Sequence, residues 1–166
     1  MDSQVKSFFL NDDGEIPNNS ELPVIMYEGI FSDNPNGIEA TFNRHNWSGS
    51  WTGDIYDFHH YHSNAHEVLG VKSGNAIVLV GGDAGERMEL KAGDVIVLPA
   101  GTGHMKIGSS PDFEVVGAYP DSKTPNLIER DPAARAQALS EIKEVPVPET
   151  DPVFGKGGPL IQKWMK

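Results

Sequence analysis

The residues most able to do chemistry in this sequence are a run of histidines that ends in a glutamate. Four of the six histidines lie between positions 59 and 66, and Glu67 follows them directly. Residues two apart on a β-strand point to the same side, so His60 and His62 can face one point while His59 and Tyr61 face outward. Imidazole nitrogens and a carboxylate are common ligands of divalent metal ions. The run therefore predicts a metal site that uses His60, His62 and Glu67.

His66 leaves alternatives open for this site. It can form a rival ligand pair with His62. Alternatively, it can line the cavity, or it can hydrogen-bond a metal ligand without touching the metal itself. A cluster of surface histidines at a hairpin, without any metal, is the plainer interpretation. Four histidines in so short a run disfavour it.

A second segment supplies one more candidate ligand. Gly93 and Asp94 predict a turn, residues 95–98 are an apolar strand, and Pro99-Ala100-Gly101 predicts a sharp corner. His104 follows this corner. Alone, the segment predicts only a hairpin that carries a histidine. His104 becomes a candidate metal ligand because the same sequence also contains the histidine run.

The composition narrows both the chemistry and the partners. The chain has no cysteine, which excludes disulfides, thiolate ligands and a cysteine nucleophile. Its 24 acidic and 13 basic residues give a formal net charge of −11, which disfavours binding to nucleic acid or to an anionic membrane. No apolar run has the length of a membrane-spanning helix, and the first residues lack the pattern of a signal peptide. We therefore expect a cytoplasmic protein.

Short apolar segments between turn residues must position these side chains, and they are typical of an all-β barrel or sandwich. One helix is predicted over 133–142, with Asp131 as its N-cap and Pro132 at its first position, before an extended tail that reaches Trp164. A loop that carries Trp47 and Trp51 precedes the histidine run, and these indoles can form a lid over the barrel mouth or cover its end. Eight or nine strands are expected, over residues 24–27, 38–43, 55–62, 67–72, 76–80, 87–90, 95–98, 104–107 and 113–119.

The two chemical segments together resemble the two motifs of the cupin superfamily. The residues that carry the match are His60, His62, Glu67 and Gly74 in the first motif and Gly93, Pro99, Gly101 and His104 in the second. Gly53 precedes His60 by one residue more than the first motif has, and Gly108 stands where the second motif has asparagine. Neither departure touches a proposed ligand. The resemblance is close over about residues 55–119, and within the superfamily it points to a small bacterial group of unassigned function.

The resemblance implies an all-β fold, the cupin double-stranded β-helix or jelly-roll barrel, with one C-terminal helix and an extended tail. A single domain then spans residues 1–166, with the barrel core at about 24–120 and the helix and tail at about 131–166. One divalent metal ion is expected inside the barrel mouth, held by His60, His62, Glu67 and His104. Cupins frequently form homodimers, and Val24–Tyr27 and the C-terminal tail are the candidate contacts.

Four such ligands leave one or two coordination positions open, which favours a metal-dependent enzyme that acts on a small molecule. We expect dioxygenase-type chemistry ahead of isomerase-type chemistry, and iron or manganese ahead of zinc or nickel. The alternatives are a non-catalytic cupin that binds or senses a small ligand, and a metal that only stabilises the barrel. The sequence shows no clear general acid or base.

Two further residues are candidates for contact with a substrate in the cavity. Tyr56, like Phe58, has the strand parity of His60, and its hydroxyl can hydrogen-bond a substrate oxygen. Lys106 has the parity of His104 and can hold an anionic substrate group. An inward tyrosine is often ordinary core packing, and a lysine is more often solvated than buried.

Overall fold

The computed structural model describes residues 4–165 and contains, in that range, nine β-strands, three α-helices and a 3-10 helix at Pro35–Gly37. The strands are β1 (Val5–Phe8), β2 (Val24–Tyr27), β3 (Trp47–Gly53), β4 (Glu67–Ser73), β5 (Asn75–Val80), β6 (Glu86–Lys91), β7 (Val95–Leu98), β8 (His104–Ser109) and β9 (Glu114–Pro120). The helices are α1 (Ile38–Arg44), α2 (Pro132–Glu144) and α3 (Pro159–Trp164). None of the helices within residues 4–165 has the length and apolar character needed to cross a membrane.

The strands form two antiparallel sheets. The larger sheet has six strands in the order β1-β2-β7-β4-β9-β3, and the smaller sheet has three in the order β6-β5-β8. One apolar cluster joins the two sheets and includes Leu69, Val78 and Ile96. A second cluster covers the other face of the larger sheet, where α1 contributes Phe42 and α3 contributes Trp164. The centre of the larger sheet is therefore buried on both of its faces, whereas its edge strands β1 and β3 are partly exposed.

Burial on both faces explains why two central strands are continuous apolar runs. All four residues of β2 and all four of β7 are buried, as expected for strands covered on both sides. β4 lies between β7 and β9 and pairs with both. Glu67 is the first residue of β4, so its backbone starts in the centre of the sheet rather than at an edge.

This architecture confirms the predicted all-β jelly-roll fold class and the predicted C-terminal helix. Helix α2 begins at Pro132, and the side chain of its N-cap residue Asp131 accepts a hydrogen bond of 2.9 Å from the backbone N–H of Ala133. Such a cap satisfies one of the free N–H groups of the first turn.

Residues 38–43 form helix α1 and not the predicted strand. Ile38 and Phe42 are fully buried and lie four apart, a spacing that suits one face of a helix. Gly70 on β4 allows this helix to lie close to the sheet, because a Cβ at that position would be 2.6 Å from the Cγ2 of Ile38. In so short a segment, the apolar pattern alone did not distinguish helix from strand.

Three other segments differ from the prediction. The prediction omits β1, which pairs with β2 at one edge of the larger sheet and is only partly buried. Trp47 and Trp51 lie on strand β3 rather than in a loop. The tail is not extended along its whole length, because residues Pro159–Trp164 near its end form the six-residue helix α3.

Of the two segments predicted as dimer contacts, Val24–Tyr27 lies within the core of the chain itself, and the tail contributes part of its residues to that core. Val24–Tyr27 is at most 4% exposed, and the tail buries Leu160 and Trp164 against the larger sheet. The indole Nε1 of Trp164 donates a hydrogen bond of 2.9 Å to the carbonyl of Pro23, just before β2. Val24–Tyr27 therefore offers little surface to a second subunit, whereas the tail keeps exposed residues such as Val147 and Met165, and the homodimer stays a prediction.

Candidate metal centre

The chain approaches the site through an irregular segment, so the predicted strand over 55–62 is wrong. Residues 54–62 form only isolated β-bridges, one of which pairs His60 with His104. Two backbone hydrogen bonds join that pair, from His60 N to His104 O at 3.3 Å and from His104 N to His60 O at 2.9 Å. The bridge places the two imidazole rings side by side, with centroids 4.1 Å apart.

His59 and Tyr61 do not face solvent as the parity argument predicts. They are 5% and 0% exposed, because the side of the segment away from the cluster is also interior. His59 donates a hydrogen bond of 2.7 Å from its Nε2 to the carboxylate of Asp83, and Tyr61 packs with Ile16 and Ala138. The alternation separates the two sets of side chains, but both sets are buried.

Three imidazoles converge at the centre of the site. One ring nitrogen from each of His60, His62 and His104 lies within 4.8 Å of the other two. Each Nδ1 is hydrogen-bonded to a backbone carbonyl, which can only accept, so each Nδ1 carries the proton and each Nε2 keeps a free lone pair. The carbonyls belong to Phe58 at 3.0 Å for His60, to Asn126 for His62 and to Thr102 at 3.0 Å for His104.

Glu67 completes the cluster with a carboxylate that is 3% exposed. Its Oε1 lies 3.3 Å from the Nε2 of His62 and 3.2 Å from the Nε2 of His104, yet it has no hydrogen-bond partner. The three atoms are thus close without being aligned as donors and acceptors to one another. A buried oxygen without a partner, surrounded by imidazole lone pairs, fits a divalent cation between them.

The pKa values of the site differ in direction between its histidines. Burial, with the neighbouring His104 second, lowers the pKa of His60 to about 3. Burial acts to raise the pKa of Glu67, but contacts with the His104 and His62 rings outweigh it and hold that pKa below its ordinary value. Burial acts to lower the pKa of His62, but contacts with the Glu67 carboxylate outweigh it and raise that pKa. Metal ligands must be deprotonated, so the directions at His60 and Glu67 suit ligation, whereas a cation at His62 competes with a proton.

His66 stands apart from this cluster, and both of its ring nitrogens are occupied. Nδ1 accepts a hydrogen bond of 2.9 Å from Ala100 N, so Nε2 carries the proton and donates at 3.1 Å to the carbonyl of Pro146. The ring also packs on Trp164 with centroids 4.7 Å apart. Burial lowers the pKa of His66 to about 4. His66 therefore links the corner after β7 to the C-terminal tail as a neutral side chain.

The cluster faces a cavity of about 680 Å³. Both substrate-contact candidates line it: Lys106 places its Nζ 2.7 Å from the Oδ2 of Asp54, and Tyr56 is 55% exposed at the rim. The ring of Tyr56 stacks on Phe58 and meets the edge of His60 at 5.2 Å. The wall also includes side chains that the sequence did not single out, namely Asp57, Leu69, Tyr119, Pro125, Asn126 and Leu127.

The two tryptophans have different positions. Trp51 lines the cavity, and its Nε1 donates a hydrogen bond of 2.8 Å to the hydroxyl of Tyr119. Trp47 is fully buried in the core and donates to the carbonyl of Thr150 at 2.9 Å. Only Trp51 therefore corresponds to the aromatic wall that the sequence suggested.

Sequence reasoning missed Tyr119 and Asn126, which both support the cluster. The Tyr119 hydroxyl donates to the Oε2 of Glu67 at 2.9 Å, and the carbonyl of Asn126 accepts from His62. The pairing of β4 with β9, with Val68 opposite Ala118, places Tyr119 beside Glu67. That register is the signal for Tyr119, and it requires knowing which strands are neighbours. Asn126 lies in an irregular loop that has no sequence pattern.

The comparison of this chain with known proteins includes a family match over the segment that carries the four candidate ligands. A family model described as Cupin matches residues 59–139. The chain is 41% identical over 167 residues to a protein of Bacillus subtilis (strain 168) called "Uncharacterized protein YjlB", with all of both chains covered. That relative has the full length of this chain and carries no stated activity.

Solved structures with similar folds are more distant. Procruciferin, an 11S globulin from Brassica napus, is 18% identical with a TM-score of 0.43, and the match covers 82% of this chain but only 38% of that one. An uncharacterized conserved protein with a double-stranded beta-helix domain from Klebsiella pneumoniae subsp. pneumoniae MGH 78578 is 17% identical with a TM-score of 0.40, over 69% of this chain and 75% of that one. Similarities at this level transfer no function.

Proposed function

This chain belongs to the cupin family, and on that premise we propose that it is a metal-dependent enzyme that acts on a small molecule. The observation that carries the proposal is the convergence of three imidazoles at the wall of an open cavity, with the partnerless Oε1 of Glu67 within 3.3 Å of two of them, His62 and His104. In this proposal His60, His62, Glu67 and His104 hold one divalent metal ion. His66 has no part in ligation, because both of its ring nitrogens are already hydrogen-bonded.

The cavity favours catalysis over a structural metal. Structural sites are closed by protein ligands, whereas catalytic sites keep at least one position for water or substrate. Here the four groups line a cavity of about 680 Å³, which is within the size range of small-molecule pockets. A substrate in this cavity can therefore reach the centre of the cluster directly.

Iron or manganese is the metal we favour, with zinc or nickel as the alternatives. A donor set of imidazoles and one carboxylate, without sulfur, suits all four ions. When bound, iron(II) would supply a site for dioxygen chemistry, and the other ions would supply Lewis acidity toward a carbonyl group. We place dioxygenase-type chemistry first.

The side chains around the cluster bind and orient the substrate in this proposal. Lys106 is only 17% exposed in its side chain and can present its ammonium to an anionic group of the substrate. Tyr56 forms one wall at the rim, next to His60. Lys106 also donates a hydrogen bond of 2.7 Å to Asp54, and this pair places one proton donor and one proton acceptor at the cavity wall. That pair is the observation that keeps isomerase-type chemistry as the second candidate.

The test is the metal content of protein purified without a polyhistidine tag. Mass spectrometry on wild type, His62→Ala and His45→Ala separates the cluster from a histidine outside it, since His45 contacts the tail at Pro152. We expect about one equivalent of iron or manganese in wild type and in His45→Ala, and none in His62→Ala. Oxygen consumption with candidate small acids would then be measured.

Other results would redirect or end the proposal. A full equivalent of zinc or nickel would place isomerase-type chemistry first and make the Lys106–Asp54 pair the next target. Wild type that stays empty after iron, manganese, zinc and nickel are added back would contradict the enzyme proposal. A non-catalytic cupin that binds a small ligand without metal would then be the better account.

A further inference from the structure

The two oxygens of Glu67 have different surroundings. Oε2 accepts a hydrogen bond of 2.9 Å from the hydroxyl of Tyr119, whereas Oε1 has no hydrogen-bond partner and lies near the imidazoles. Both Glu67 and Tyr119 are at most 5% exposed, so water does not compete for this bond. The hydrogen bond therefore determines which oxygen of the carboxylate points toward the cluster.

The direction of this hydrogen bond is fixed by Trp51. An indole N–H can only donate, and the Nε1 of Trp51 lies 2.8 Å from the hydroxyl oxygen of Tyr119. The hydroxyl accepts that bond and has one proton left, which it donates to the Oε2 of Glu67. The three side chains thus form a chain of hydrogen bonds with a single orientation, from Trp51 through Tyr119 to Glu67.

The backbone is shaped to place the indole there. The pairing of β3 with β9 shifts its register between Ser48 and Trp51, and Gly49 within that bulge has a φ of +64°. Bulges of this kind redirect the following side chain. The indole then lies over Gly117 of β9, where a Cβ would be 2.3 Å from an indole carbon. A side chain at position 117 would therefore displace Trp51.

We infer that Tyr119, held by Trp51, is a positioning residue that keeps Glu67 Oε1 facing the three imidazoles. The inference rests on the proposed function, because it assigns Glu67 to a metal through one oxygen only. Tyr119 does not touch the metal in this account. It acts through Glu67 by preventing rotation of the carboxylate and by holding Oε2 away from the cluster.

The experiment uses cobalt(II) as the probe, added to wild type, Tyr119→Phe and Tyr27→Phe after removal of other metals. Tyr27 is the matched control, because its hydroxyl donates to another buried carboxylate, Asp151, at 2.5 Å. We expect Tyr119→Phe to weaken cobalt affinity by about 10–100-fold and to change the visible absorption bands of bound cobalt. We expect Tyr27→Phe to leave both unchanged.

Trp51→Phe is the second variant, and it keeps the test decisive if Tyr119→Phe does not fold. It should weaken cobalt affinity less than Tyr119→Phe and change the absorption bands in the same direction. The inference is overturned if wild type binds cobalt and Tyr119→Phe has the same affinity and spectrum as wild type. If Tyr119→Phe does not fold, the same result in Trp51→Phe overturns it. Either result leaves the proposed function standing. Wild type that binds none of cobalt, iron, manganese, zinc and nickel overturns both.

Discussion

Two buried carboxylates in this protein each accept a hydrogen bond from a tyrosine, and they differ in what surrounds the rest of the group. Asp151 is 0% exposed, and its oxygens accept bonds from the hydroxyl of Tyr27 and from the backbone N–H groups of Val153, Phe154 and Leu160. Glu67 accepts one bond through Oε2 and none through Oε1.

The difference separates a carboxylate that holds the fold from one that is available to a ligand. A buried charge is tolerated when hydrogen bonds replace its hydration. Asp151 has that replacement on both oxygens and ties the tail to β2. Glu67 has it on one oxygen only, so its environment is complete only when a cation occupies the cluster. Burial and a tyrosine partner alone would not distinguish the two.

The largest expected effect is on folding, at Asp151. Asp151→Ala leaves the Tyr27 hydroxyl and three backbone N–H groups without an acceptor, so we expect the free energy of unfolding to fall by about 3–5 kcal/mol. Urea denaturation of the metal-free protein measures it. Cobalt affinity should stay within about twofold of wild type under conditions where the variant is folded. A loss of less than about 1 kcal/mol would mean that Asp151 does not hold the tail.

The converse substitution is Glu67→Gln, which keeps the size of the side chain and the acceptor for Tyr119. Cobalt affinity should fall by at least about 100-fold, equivalent to about 2.7 kcal/mol, because the negative donor is lost. The stability of the metal-free protein should change by no more than about 1 kcal/mol. Glu67→Gln that loses several kcal/mol in the metal-free state would place Glu67 with Asp151 as a structural carboxylate.

The same contrast exists among the histidines and predicts a smaller, pH-dependent effect. His66 has a folded-state pKa of about 4 against an ordinary value of 6.5, because it is buried. Between these values the unfolded chain takes up a proton at this position and the folded chain does not. Stability is therefore present above pH 6.5 and is lost as the pH falls toward 4, by about 1 kcal/mol per pH unit from this residue.

His66→Gln should remove this contribution. Urea denaturation of metal-free wild type and His66→Gln at several pH values between 7 and 4 compares the two slopes. His60, whose pKa burial also lowers, contributes to both proteins and cancels in the comparison. Equal slopes would show that His66 takes up a proton in the folded protein as readily as in the unfolded chain, so that its Nδ1 does not accept from Ala100 N.

The parts of the structure that the sequence predicts are those determined by near neighbours. The apolar runs of β2 and β7 and the Asp131 cap are local patterns, and the structure contains each of them. The assignment fails where one pattern fits two structures, as at 38–43, or where a segment pairs only at isolated bridges, as at 54–62.

The residues that define the two carboxylate sites are beyond local reasoning. Tyr119 is 52 positions from Glu67, and Tyr27 is 124 positions from Asp151. Only the order of strands in the larger sheet brings the first pair together, and only the path of the tail brings the second. A single sequence contains no pattern from which either path is read.

The three backbone carbonyls that orient the histidines have a consequence for how this site can change in evolution. Most substitutions at positions 58 and 102 keep a carbonyl in place, whereas the Asn126 side chain also anchors its loop, because it accepts from Ser63 N and donates to the Ser63 hydroxyl. The orientation of Glu67 depends instead on a side chain, that of Tyr119, so substitution at position 119 changes it directly. Relatives of this protein that lose the metal are therefore expected to lose it first through the carboxylate, while the three histidines remain in position.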